Sequence, residues 1–156
     1  MSSSHNLQLA KTDLKPHWIL VAATASTLAV YLLICHSAGT SWQQAFPEEQ
    51  RVVIRTVFYV LAIIGFPMTN LIRHIQLRLN QTMPGSKPAK NRYLLTVIVS
   101  MMLAESLGIM GFVMYFLGDD VNTLYIFSLL SALAIYLYRP KVHEYISILE
   151  ALAKHG

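Results

Sequence analysis

The run from Tyr93 to Gly118 contains one charged residue, Glu105. A carboxyl group at that position has few chemical options. Keeping it protonated at pH 7 costs about 3.7 kcal/mol relative to a free glutamate. Burying it as an unpaired carboxylate costs far more. No Lys, Arg or His lies at matching depth in the other uncharged runs of the chain. Glu105 is therefore expected to be a neutral acid that exchanges a proton, or a carboxylate that holds a cation. Ionisable groups deep in an apolar helix mark function by default. Thr24 and Thr27 fall midway along the first apolar run, and Ser128 and Ser131 midway along the last. Their hydroxyls are candidates to hydrogen-bond the carboxyl group or to help coordinate an ion. The competing reading is a neutral acid whose one hydrogen bond pins helix packing. Such bonds average about 0.6 kcal/mol in membranes, little against the protonation cost.

Other chemistry finds less support. The histidines His5, His17, His36, His74, His143 and His155 pair with no acid, Cys or other His at metal-binding spacing. His17 and His36 read as interfacial. Cys35 is the one cysteine and has no basic activator beside it, so it reads as a small buried hydrophobe. Asp119 and Asp120 read as a solvated turn. There is no phosphate-cradling glycine loop, nucleophile elbow or acid–base pair. No catalytic residue, metal or cofactor is expected, and an enzyme is disfavoured.

The elements that must carry Glu105 are legible from composition. Of 156 residues, 54% are hydrophobic and 13% charged, and the mean hydropathy is +0.47. A soluble domain carries roughly 25% charged residues. Pro16–Pro47, Thr56–Ile72 and Val121–Tyr138 hold no Asp, Glu, Lys or Arg, and Tyr93–Gly118 holds Glu105 alone. Each suits a helix of about 20 residues crossing a bilayer. Continuous apolar runs do not alternate as barrel strands do. The expected fold is all-α and polytopic. Its N-terminal tail is 1–15 and its four-helix transmembrane domain 16–138, with spans at about 16–37, 52–73, 93–117 and 121–138. Pro47 starts a helix running to about Gln81, with a kink at Pro67. Trp18, Trp42, Phe46, Tyr93, Tyr125 and Tyr138 fall where an aromatic belt would lie.

Ten of the twelve cations lie in the two termini and the loop between spans two and three; Arg51 and Arg55 alone lie on the other side. The positive-inside rule then places both termini in the cytoplasm, as in a bacterial inner-membrane protein. This placement accounts for the net charge of +4 without a nucleic-acid partner. The expected partners are the lipid bilayer and either further copies of the chain or other membrane subunits.

Ser100, Ala104, Gly108 and Gly111 recur at spacings of four and three, which lets helix backbones approach closely. Ala22, Ser26 and Ala29 offer a matching face on span one. The string Ala104-Glu105-Ser106-Leu107-Gly108-Ile109-Met110-Gly111-Phe112-Val113 resembles the ion-carrying helix of the proteolipid (c) subunit of rotary ATPases. The resemblance implies that Glu105 binds a transported proton or sodium ion on the second helix of a hairpin formed by spans two and three. It covers about ten residues strongly. Span two, with Gly65 as its one glycine, lacks the glycine-rich first helix of that family. The whole chain is also similar to small four-span bacterial membrane proteins carrying a glutamate in the third span.

Residues 139–156 form a cytoplasmic helix by pattern. Val142, Tyr145, Ile146, Leu149 and Leu152 recur on one face, while Lys141, Glu144 and Lys154 stay polar. That face suits a membrane surface or a partner. The expected function is therefore a non-enzymatic membrane protein centred on Glu105; the alternative is an accessory or assembly subunit.

Overall fold

The computed structural model describes residues 2–44 and 46–155, which form helices and no strand. They are α1 (Ser2–Asp13), α2 (Lys15–Ala38), α3 (Glu48–Thr82), α4 (Ala89–Phe116), α5 (Val121–Leu137) and α6 (Val142–His155), with one 3-10 turn at Gly39–Trp42. By length and composition, α2, α3 and α4 can each cross a membrane, and α5 joins them when counted with α6, from which it is bent by 42°.

Local chemistry sets the boundaries. Pro16 sits in the first turn of α2, where a missing N–H costs nothing, and Gly39 at φ 56° ends that helix. Glu48 and Glu49 occupy the first turn of α3, at its positive end. The Asp120 carboxylate caps α5 by accepting from the Asn122 backbone N–H at 3.3 Å. Pro140, lacking an N–H, separates α5 from α6. α3 continues as one helix through Pro67. Near the donor that Pro67 lacks, the Thr69 hydroxyl donates to the Gly65 carbonyl at 2.7 Å and the Tyr138 hydroxyl to the Phe66 carbonyl at 3.0 Å.

Side-chain contacts fix the directions. Leu28 lies against Gly108, Tyr31 against Glu105 and Cys35 against Tyr115, so α2 and α4 run parallel. Arg73 with Ser100 and Asn80 with Thr96 make α3 antiparallel to α4. Ser131 with Gly108 and Phe127 with Gly111 make α5 antiparallel to it as well. Helix α4 is the hub, and its Tyr93, Val97, Met101 and Ala104 are almost fully buried.

Ser100, Ala104, Gly108 and Gly111 are all buried. A methyl group on Gly111 would stand 2.7 Å from Phe127 Cβ and 3.2 Å from the Leu124 carbonyl oxygen, so the close approach is to α5. Ala22, Ser26 and Ala29 are exposed, and the matching face expected on span one is absent. α2 turns Val21, Thr24 and Leu28 inward instead, because larger side chains bury more apolar area per contact.

Three further expectations change. The N-terminal tail contains a helix, α1, whose Ala10 and Leu14-side end is buried. Tyr93 and Tyr138, assigned to an aromatic belt, are buried, whereas Trp18, Trp42 and Tyr125 are exposed. His17, read as interfacial, has no exposed surface and packs on the Tyr93 ring at 5.3 Å between centroids.

The face of α6 that the sequence offers outward lies largely on the chain's own helices. Tyr145 is buried, Val142, Ile146 and Leu152 pack on the core, and Leu149 stays exposed. The Tyr145 hydroxyl donates to Asp13 Oδ2 at 2.9 Å, joining α6 to α1. Burial, then the bond to Asp13 and its charge, push that hydroxyl up to about 12. At the opposite end, Arg55 pairs with the buried Asp119 at 2.9 Å, and Arg51 donates to the Gly118 carbonyl. Of the turn expected to be solvated, Asp119 is thus buried against Arg55, while Asp120 stays exposed.

Candidate functional site

Glu105 lies one residue past Ala104 of the packed face, on the half-buried edge between α4 and α2. Its Oε1 accepts a hydrogen bond from the Tyr31 hydroxyl at 3.3 Å. The Tyr31 ring also packs on Phe112, two helical turns beyond Glu105, with centroids 5.3 Å apart. No cation pairs with Glu105 among the described residues.

The four expected hydroxyls do not join it. Thr24 and Thr27 donate to the carbonyls of Leu20 and Ala23, each at 3.0 Å. These are bonds within α2. Ser128 and Ser131 are buried with no hydrogen-bond partner among the described residues. Ser131 comes nearest in packing register, facing Gly108 one turn beyond Glu105. The structure thus brings Glu105 to Tyr31, a residue the sequence reading passed over. The reason is depth. α4 begins at Ala89, not Tyr93, so Glu105 lies beyond the helix middle, and its level on parallel α2 shifts toward the C-terminal half.

A second polar cluster lies at the α1/α6 end. Arg73 of α3 is 4% exposed, the burial of a core residue. Its Nη1 donates to Ser100 Oγ at 2.9 Å and its Nη2 to Glu144 Oε2 at 2.6 Å. The Tyr93 hydroxyl donates to the same Oε2 at 2.8 Å, and the Lys141 backbone N–H donates to the Tyr93 oxygen at 2.8 Å. Three helices and the Tyr138–Lys141 turn therefore meet on one carboxylate. Burying a charge is tolerable only when it is paired and hydrogen-bonded, and here both partners are. Arg73 Nε is buried without a partner.

Beside this cluster is an open cleft of about 530 Å³, lined by Phe66, Asn70, Arg73, Leu137, Lys141 and Glu144, among others. In the sequence Arg73 is one of the ten cations in the termini and the loop between spans two and three, and Glu144 one polar position on α6. The available signal was that Arg73 directly follows the uncharged run of span two, while Glu144 is an acid amid basic residues. The described residues hold no group of three or more His, Cys, Asp and Glu able to bind a metal ion.

No family model, curated protein or solved structure matches this chain.

Proposed function

We propose that this chain is a non-enzymatic integral membrane protein whose Glu105 takes up and releases a proton. In this reading α2 to α5 cross the bilayer, and the α1/α6 end with the Met83–Pro88 loop faces the cytoplasm. The observation that carries it is the bond from Tyr31. A single neutral donor engages Oε1, and no cation pairs with the carboxyl group. A dehydrated metal cation needs several oxygen ligands. Thr24 and Thr27 are held on their own helix, and no hydrogen bond links Ser128 or Ser131 to Glu105, so the four hydroxyls do not gather around the carboxyl group. The geometry therefore favours a proton over a metal ion as the species bound. The likeness of residues 104–113 to an ion-carrying helix supports ion exchange at Glu105 but does not choose between a proton and sodium.

A second reading is an accessory subunit in which the Tyr31–Glu105 bond only joins α2 to α4. It draws on α3, whose Val53, Ile63, Ile64 and Leu71 are all more than half exposed. Lipid or another membrane subunit would cover that face.

A hydrophobic carbodiimide separates the two, because it reacts with protonated carboxyl groups. Membranes holding the full chain are labelled across pH 5–9, and the modified residue is found by mass spectrometry. Labelling at Glu105 that falls as pH rises, vanishes in Glu105→Gln and shifts to higher pH in Tyr31→Phe is the expected result. The Tyr31 shift follows because removing a donor disfavours the ionised form. Labelling independent of pH would overturn the proton-exchange reading and leave the structural one.

A further inference from the structure

The cleft beside Arg73 has two kinds of wall. Phe66 and Leu137 belong to the uncharged runs of α3 and α5; Arg73 directly follows the first run, and Lys141 and Glu144 lie three and six residues past the second. The cleft therefore straddles the level at which both helices change from apolar to charged. A molecule filling it meets hydrocarbon on one side and cations on the other. The volume, about 530 Å³, is that of a small-molecule site.

The charges are not balanced. Arg73 and Lys141 face one carboxylate, Glu144. Glu144 Oε2 is taken by Arg73 and Tyr93, and Oε1 stands 4.0 Å from Lys141 Nζ, too long for a tight pair. Lys141 is 37% exposed at the side chain. Arg73 is held in place by its bonds to Ser100 and Glu144 and lines the same cleft. A loosely paired ammonium beside a guanidinium in the same cleft wall suits a phosphate oxygen.

We propose that this cleft binds the headgroup phosphate of an anionic phospholipid, with Lys141 and Arg73 on the phosphate and an acyl chain along Phe66 and Leu137. Basic pockets between membrane helices on the cytoplasmic side recognise such headgroups in general. The proposal rests on the membrane reading above but not on Glu105. The apolar wall is what selects a lipid over free phosphate.

The test uses the full chain purified in a neutral detergent. Its thermal midpoint is followed while dihexanoyl phosphatidylglycerol, dihexanoyl phosphatidylcholine or inorganic phosphate is added. Phosphatidylglycerol should raise the midpoint saturably, and the other two should not at equal concentration. Lys141→Gln, a half-exposed position whose loss leaves the Arg73–Glu144 pair intact, should weaken the apparent affinity about tenfold, the loss of one charge-assisted contact. Arg73→Gln combined with Glu144→Gln removes the pair without orphaning a charge and should abolish the response. An equal response to inorganic phosphate would make this a free-anion site and overturn the lipid assignment. So would an equal response to phosphatidylcholine, no response at all, or an unchanged affinity in Lys141→Gln. Because the readout is independent of carbodiimide labelling, failure here leaves the Glu105 reading standing.

Discussion

Tyr145 shows how one hydroxyl ties two distant segments. Its donor reaches Asp13 across most of the chain length, and burial removes water as a substitute partner. Losing such a bond to a carboxylate costs roughly 1.5–3 kcal/mol. The folded hydroxyl titrates at about 12, against about 10 in an unfolded chain. The folded state thus holds the neutral phenol after the unfolded state has begun to ionise. That stabilisation is complete below pH 10 and is lost as pH rises through 12. Tyr145→Phe should lower the thermal midpoint at pH 8. Between pH 10 and 12 the wild-type midpoint should fall more steeply than the variant's. Parallel curves for the two proteins would show that Tyr145 does not titrate as described. Single-residue roles of this kind were the least legible in the sequence. Glu105 stood out because charge is rare in an apolar run. Tyr31, Tyr93 and Tyr145 did not, because a tyrosine fits equally well as belt, core or hydrogen-bond donor until its neighbours are known.

At the scale of elements, α4 illustrates which patterns transfer from sequence to structure. The spacing of Ser100, Ala104, Gly108 and Gly111 was sufficient to place a packed face on α4, since side chains four and three residues apart stack on one side of a helix. It was insufficient to name the partner. Small residues on α2 looked equally suitable, but compatibility with close approach does not create an attraction. The two glycines on this face should respond differently to alanine. A methyl group on Gly111 meets the Leu124 backbone and the Phe127 Cβ, which move only if α5 moves. On Gly108 its tightest contact, at 2.8 Å, is Leu28 Cδ1, the end of a flexible side chain. Gly111→Ala should destabilise by about 1–3 kcal/mol, the range for an overpacked core. Gly108→Ala should cost clearly less. The measurement is the thermal midpoint of both variants in one detergent. A larger loss for Gly108→Ala would mean that α2, not α5, makes the rigid contact with α4. The same limit explains α6. Its apolar stripe was plain in the sequence, but α1, α3 and α4 occupy most of it, and an amphipathic pattern carries no record of what covers it.

At the scale of the whole molecule, the distribution of charge and the packing point the same way. Helices α1 and α6 meet at the end that holds Arg73, Arg139 and Lys141, while Arg51 and Arg55 close the other end against Gly118 and Asp119. Four apolar runs were enough to anticipate an all-helical chain, because that signal sums over many residues and tolerates local error, while the ten-to-two cation split bears on orientation alone. Neither signal required the tertiary contacts that define the Arg73 cleft. The orientation they imply can be tested directly. With Cys35, the one cysteine, replaced by alanine, Ser86→Cys and Asn122→Cys each place a thiol at an exposed site on opposite ends. A maleimide that does not cross membranes, added to intact cells, should label Asn122→Cys and leave Ser86→Cys unlabelled until the membrane is opened. The reverse pattern would invert the protein and move the Arg73 cleft to the outer leaflet, where the argument from cytoplasmic anionic lipid fails. Labelling of both sites in sealed cells would mean that α4, the helix between them, does not cross the membrane, and the four-span arrangement would fail.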